Sequence, residues 1–400
     1  GLVIFTTGSA ICGASFSLGM LIAARALQGL GGALIMAVSP AILTSAFPAS
    51  ERGRALGMNA VFVALGTSVG PTLGGIITAN FTWRWIFYVN VPLGIIGIIA
   101  TLRILKEPRR SGQERGRFDP LGAILLAIGL VCLTLGLSFG QEWGWGSPLL
   151  IGTIVVSACA FVALGIVEQR VKDPIIDFSL LHNRVFLSAN VSLVLNFLAL
   201  FAVSFMLPFY LEELRGYSVI EAGLLLTPLP LTIAVIAPIS GALADRIGSR
   251  WLAAGGLLIA CIGLAFISQL NAQSSLWDII WRLVLTGAGQ AMFQSPNNSA
   301  LMGAAPRSRQ GVAAGFLATG RVVGQSISVA LAGAIFASLG GALAGSLLVA
   351  QQFHATLSLA QVSVLQQNFA HAFQVAFLVC AGLAATGVIT SLVRGKEGRS

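Results

Sequence analysis

Twelve apolar runs follow one another along the chain, most of them long enough to cross a bilayer as a helix. They cover 2–17, 20–47, 54–79, 85–106, 120–140, 149–168, 185–211, 219–244, 251–270, 277–302, 311–339 and 369–393. Pro, Gly or charged residues stand at nearly every junction, where a helix has to end or turn. The pattern predicts an all-α polytopic membrane protein. Between the last two runs, residues 340–368 contain no acidic or basic side chain and predict a long outer loop with an interfacial helix.

One run is patterned more finely than the others. In 54–79, Gly66, Gly70 and Gly74 recur every fourth residue and therefore share one helix face, with Gly75 beside them. In lipid such a strip lets a neighbouring helix approach backbone to backbone. Pro71 lacks an N–H, and its ring crowds the carbonyl of Thr67, so the helix is expected to bend there. A smooth face beside a kink suits two helices that pack in one state and part in another.

Composition narrows the class. Hydrophobic residues make up 56% of the chain and charged residues 9%, which leaves too little polar surface for a soluble protein of 400 residues. The net charge of +9 is topological, because 18 of the 23 basic residues fall in loops on one side of the expected bilayer. The positive-inside rule makes that side cytoplasmic, with the C-terminus on it, and nucleic-acid binding is excluded. Six of the seven tryptophans gather at the opposite face, as an interfacial belt does. The five cysteines lie in apolar runs without ligand spacing, the three histidines do not cluster, and no GxxxxGK[ST] loop occurs. The expected cofactor is therefore none, and an ion gradient has to drive any pumping.

The chain repeats itself at an offset of 258 residues: Gly29, Gly31 and Ala33 recur as Gly287, Gly289 and Ala291, and Pro48, Ser50, Gly53, Ala55 and Gly57 as Pro306, Ser308, Gly311, Ala313 and Gly315. Same-direction repeats of this kind build transporters with the substrate held between two halves near mid-membrane. Gly70, Pro71 and Gly74 become Ser328, Val329 and Ala332, so the glycine groove belongs to the first half alone. The second half has two helices, 185–244, ahead of the partner of the first visible helix, and the first half has none. Two further N-terminal helices, ~60 residues, are expected to precede Gly1.

Several of these stretches carry a family resemblance. Gly66-Thr-Ser-Val-Gly-Pro-Thr-Leu-Gly-Gly75 resembles the antiporter signature, motif C, of the major facilitator superfamily, and Arg25-Ala-Leu-Gln28-Gly29-Leu-Gly31-Gly-Ala33 resembles its motif B. Trp83-Arg-Trp85-Ile-Phe87-Tyr-Val-Asn90-Val-Pro92-Leu-Gly94 is similar to a signature of the fourteen-span drug:proton antiporters of the EmrB/QacA type. Gly241-Ala-Leu-Ala-Asp245-Arg246-Ile-Gly248-Ser-Arg250 resembles the second-half copy of motif A. The resemblance implies a major facilitator fold of two helix bundles with two inserted helices, of whose fourteen spans twelve are present. It divides the chain into 1–106, the last four helices of the first bundle; 107–184, the inserted pair with its linkers; and 185–400, the second bundle. It also implies a proton-coupled antiporter in the inner membrane that exports lipophilic or amphipathic compounds by alternating access.

Candidate residues follow from cost and position. Arg25 lies within a span and, with Gln28 and its place in motif B, is assigned to proton coupling. Arg321 is about ten residues into its helix, ~15 Å deep, where a guanidinium does not reach water easily. It is expected to line the central cavity or to pair with a carboxylate on one of the helices expected to precede Gly1, and is assigned to coupling as well. Arg282 follows Asp278 by four residues, so a local ion pair suffices for it. Asp245 is expected to cap or face the N-terminus of the next helix, and Gly241, Gly248, Arg246 and Arg250 complete a cytoplasmic gate. No Asp or Glu falls near the middle of a visible span; the resemblance implies a coupling carboxylate on the first of the helices expected to precede Gly1. The substrate cavity is assigned to Asn190, Asn196, Phe197, Phe201, Gln290, Gln294, Asn297 and Gln325, amides and aromatics suited to amphipathic molecules. Hydrogen bonding and packing between helices account equally well for these residues taken singly.

The expected partners are small amphipathic molecules and the bilayer. A monomeric state and a periplasmic adaptor are both left open. Two rivals stand beside this reading: a dedicated exporter of an endogenous metabolite, lipid or siderophore, and a non-transporting membrane sensor or scaffold. An enzyme is excluded by the lack of any nucleophile, metal or cofactor constellation.

Overall fold

The computed structural model describes residues 1–48, 51–104, 119–144, 146–171, 178–306, 309–353 and 358–394. It is all-helical among these residues, in chain order α1 Leu2–Gly13, α2 Leu18–Ala46, α3 Arg52–Asn80, α4 Trp85–Tyr88, α5 Asn90–Ile104, α6 Pro120–Trp143, α7 Pro148–Glu168 and α8 Phe178–His182. Then come α9 Arg184–Phe209 with a π turn at Tyr210–Leu214, α10 Val219–Leu226, α11 Pro228–Ile247, α12 Ser249–Ile267, α13 Leu276–Ala304, α14 Gln310–Ser338, α15 Gly341–Phe353 and α16 Leu359–Leu392.

Nine spans among the described residues are long and apolar enough to cross a membrane by themselves. The other three of the twelve expected are α1, with only 12 residues, and α3 and α13, which have 29 each. The last two have the length, but their glycines, hydroxyls and amides dilute the apolar character. Large apolar side chains such as Phe62, Leu102, Val162, Val235 and Trp251 stand exposed on the helices, as a lipid-facing surface requires.

The boundaries have local causes. Ser17, Asp119, Ser147 and Asn183 accept from first-turn N–H groups as side-chain caps, and Ser218–Glu221 and Ser275–Asp278 form full capping boxes. The expected span 219–244 divides at Thr227, because Pro228 has no N–H with which to continue the hydrogen-bond ladder. The expected span 85–106 likewise divides at Val89. In the expected loop 340–368, α15 forms and α16 begins ten residues earlier than its apolar run.

The best-packed core lies among α9, α12, α13, α14 and α16, where Phe336, Phe369, Phe373 and Phe377 stack around Tyr210. Tyr210 donates from its hydroxyl to the carbonyl of Asn271 at 2.8 Å, and Arg215 donates to the carbonyls of Ala272 and Ser274. These bonds tie the C-terminal end of α9 to the α12–α13 loop. Elsewhere α1 packs on α2 and α5, α6 pairs with α7, and α3 packs on α11.

Candidate binding cavity

A cavity of about 510 Å³ opens between α3 on one side and α9, α10, α11, α13 and α14 on the other. Three helices each contribute two residues one turn apart: Phe197 and Phe201 from α9, Gln290 and Gln294 from α13, and Arg321 and Gln325 from α14. Ala60 and Val63 of α3 and the aliphatic side chains of Leu226, Leu229 and Ile233 form the facing wall. The guanidinium of Arg321 sits over the Phe197 ring, 5.2 Å from its centroid. Gly324 makes this possible, since a Cβ there would come within 2.8 Å of Phe197 Cβ and of the Val194 carbonyl oxygen. The missing side chain brings α14 against α9 and carries Arg321 with it.

One end of this space is sealed. The carboxylate of Asp245 on α11 accepts from the backbone N–H of Gly53 at 3.0 Å and of Arg54 at 3.1 Å. Asp245 was expected to cap the helix that follows it; instead it caps the first turn of α3, because α11 and α3 cross there at backbone contact. A Cβ on Gly241 would strike the Gly53 carbonyl, and one on Gly57 would lie 2.6 Å from the Ala237 carbonyl oxygen. Ser295 of α13 donates to the Gly53 carbonyl at 3.0 Å. Thr44 of α2 reaches Gln310 of α14 at 3.3 Å on the same side. Gly248 has φ +92°, the left-handed backbone that the sharp turn into α12 requires. Arg250 stacks on Trp251 at 5.4 Å, and Arg246 is exposed.

At the other end the picture reverses. A Cβ on Gly66, Gly70 or Gly74 would meet nothing within 4 Å, and one on Gly75 would meet only Ile220 of α10, at 3.9 Å. Among the described residues, no side chain or backbone packs on Gly66, Gly70 or Gly74 of the strip expected to seat a neighbouring helix. α3 is helical through position 71, but the side chain of Pro71, and with it the expected bend, lies outside the described residues.

Three of the amides assigned to the cavity do not line it. Asn297 donates to the Ala189 carbonyl at 3.1 Å and accepts from Arg394, whose fully buried guanidinium also donates to Ser249. It is a clamp among α9, α13 and the end of α16. Asn190 donates to the Phe186 carbonyl of its own helix at 3.1 Å, and Asn196 is fully buried. α9 is enclosed on nearly every side, so a polar residue on it need not face the cavity.

Arg25 donates to Gln28 Oε1 at 2.8 Å, Gln28 donates to Ser9 Oγ at 2.7 Å, and Arg25 lies 5.7 Å from the Phe87 ring centroid. This chain links α2, α1 and α4, apart from the cavity. Arg282 pairs with Asp278 at 4.0 Å.

A carboxylate that the sequence reading passed over does reach the cavity. Glu212 follows the expected end of its helix at residue 211. In the structure Pro208 removes a backbone donor and the π turn after it extends the helix, turning Glu212 to the cavity lining. Glu213 instead lies against Gly345 of α15. The acidic pair so soon after an in-helix proline was the available signal.

Comparison with known proteins gives this geometry a context. Residues 1–329 match the model of the family described as Major Facilitator Superfamily. The riboflavin transporter RibZ of Clostridioides difficile is 36% identical over 378 residues, covering 94% of this chain and 80% of that protein. The multidrug resistance protein Stp of Mycobacterium tuberculosis is 33% identical over 343 residues, covering 84% of this chain and 63% of Stp. Among solved structures, the human organic anion transporter MFSD10 superposes with a TM-score of 0.63 at 17% identity, over 98% of this chain and 75% of that one, a likeness of fold.

Proposed function

The chain belongs to the Major Facilitator Superfamily, and from that premise we propose that it is a proton-coupled antiporter of the fourteen-span drug:proton type, exporting lipophilic or amphipathic compounds by alternating access. The observation that carries this reading is the asymmetry of the cavity. It is sealed at the Asp245 end by backbone contact between α3 and α11, and at the other end none of the described residues covers its glycine strip at Gly66, Gly70 and Gly74. In the proposed cycle, segments 1–106 and 185–400 rock about the cavity, with 107–184 as an inserted pair. Helix α3 serves as hinge and seal. When the Asp245 end parts, the strip Gly66–Gly75 receives α10, whose nearest present approach is Ile220 at Gly75.

The walls suit such cargo: aromatic and aliphatic surface on two sides, and amides with one guanidinium on the others. Arg25, Gln28 and Arg321 are assigned to coupling, and Glu212 supplies a carboxylate at the cavity. The proton gradient is the energy source, and no cofactor takes part. We place the protein in the inner membrane, the Asp245 end and the C-terminus facing the cytoplasm. The multidrug resistance protein Stp among the relatives supports efflux. The riboflavin transporter RibZ supports a second reading, in which the chain is dedicated to one compound, such as an endogenous metabolite, lipid or siderophore, rather than to many.

Inside-out vesicles energised to an acid interior test the proposal. Adding a lipophilic compound is expected to release protons, followed as dye dequenching, and Pro71→Leu is expected to abolish the signal while leaving membrane insertion intact. Proton release that does not depend on the added compound would refute antiport. Unchanged exchange in Pro71→Leu would reduce Gly66–Gly75 to packing.

A further inference from the structure

The charge balance of the cavity indicates what kind of molecule it holds. Arg321 lines the space and stacks on Phe197, and no hydrogen bond or ion pair to it occurs among the described residues. The acids nearby are engaged or distant. Glu221 and Asp278 close capping boxes, and Asp245 caps α3. Glu212 is 15 positions from Phe197 along the same helix, about 20 Å at helical rise. A guanidinium in a low-dielectric cavity is costly until an anion or water answers it.

The other polar side chains of the cavity reinforce the demand. Gln290, Gln294 and Gln325 line the same space, and none of the three forms a hydrogen bond among the described residues. Each amide offers two N–H donors, and the guanidinium offers a planar fork of five, so donors outnumber acceptors around the polar side. The fork geometry matches a carboxylate or sulfonate in a bidentate pair. Phe197 and Phe201 stand one turn apart and present rings to the same space, which favours a flat aromatic body beside the anionic group.

We infer that this cavity is an organic-anion site: a flat aromatic molecule bearing a carboxylate or similar oxyanion docks its charged edge on Arg321, with the three glutamines around it and its rings against Phe197 and Phe201. This narrows the cargo class and rests on the reading of the cavity as the cargo site. It runs against a broad preference for lipophilic cations, for which Arg321 is a repulsive element.

Two xanthene dyes of similar shape and opposite charge test it on the full chain in nanodiscs: fluorescein, anionic at pH 7.5, and rhodamine 123, a cation. Fluorescence anisotropy is expected to show fluorescein binding more tightly. Arg321→Gln should weaken fluorescein by about tenfold or more, the value of a charge-assisted bidentate contact, and narrow or invert the preference. Arg321→Lys keeps the charge without the fork and should fall between, provided that both variants remain monodisperse. Equal or tighter binding of rhodamine 123, no binding of either dye, or a fluorescein affinity unchanged in Arg321→Gln would overturn the inference. Transport is read separately in vesicles. Fluorescein binding without any dye movement would sink the export reading and leave the anion site standing. Rhodamine 123 export indifferent to Arg321→Gln would do the reverse.

Discussion

Asp245 and Gly53 join across 192 residues of sequence: the carboxylate of α11 accepts the first-turn N–H of α3 at 3.0 Å, with the Arg54 N–H beside it at 3.1 Å. A carboxylate at a helix N-terminus satisfies orphan donors and meets the positive end of the helix dipole. Asp245→Ala removes both bonds and should lower stability by about 1–3 kcal/mol. It should also slow transport, because the sealed conformation loses its latch. Thermal unfolding in detergent and vesicle flux measured together test this, and a variant normal in both would show the cap to be idle.

Gly57 and Gly70 lie on the same helix in opposite surroundings. A Cβ at Gly57 would stand 2.6 Å from the Ala237 carbonyl oxygen, whereas one at Gly70 would meet nothing within 4 Å. Gly57→Ala should therefore disfavour the conformation described here by about 1–3 kcal/mol, the usual cost of overpacking. Gly70→Ala should leave it untouched and still depress transport, since the strip is needed when α10 closes on it. Thermal stability separates the two variants, and flux joins them. Full transport by Gly70→Ala would remove the strip from the cycle.

Much of this architecture is legible in the sequence because lipid-spanning helices announce themselves as apolar runs. Arg321 and Gln325, or Gln290 and Gln294, share a cavity because four-residue spacing puts each pair on one helix face. Other features are hidden for physical reasons. α9 is apolar nearly all round, so no hydrophobic period tells whether Asn196 or Phe197 faces the cavity; the structure buries both and sets only the second on its lining. Asn297 is claimed by Arg394, 97 residues away, a contact that local patterning does not encode. Glu212 turns inward through a π turn, which shifts the helical register used to assign faces.

The reassignment of Asn297 has a measurable consequence. It donates to the Ala189 carbonyl and accepts from the fully buried Arg394. Asn297→Ala leaves part of a buried guanidinium unanswered and should cost about 2–3 kcal/mol, the scale of hydrogen bonds to charged groups. Dye affinity in the fraction that folds should stay within about twofold, below the RT-scale limit of a meaningful contact. A stable variant with a much weaker dye affinity would return Asn297 to the cavity.

Glu212 is the acid on which coupling can be tested with this chain as it stands. It lines the same cavity as Arg321, and carboxylates within transporter spans serve in proton relays. Glu212→Gln keeps the shape and replaces the carboxyl group with an amide. If Glu212 carries the transported proton, the variant should still exchange labelled cargo for unlabelled cargo but lose uphill export driven by a proton gradient. Cargo-triggered proton release, read by dye dequenching, should disappear with it. Loss of both exchange and uphill export would mark Glu212 as a binding residue. Retention of gradient-driven export would exclude it as the proton carrier and move the search to Arg25, Gln28 and their neighbours.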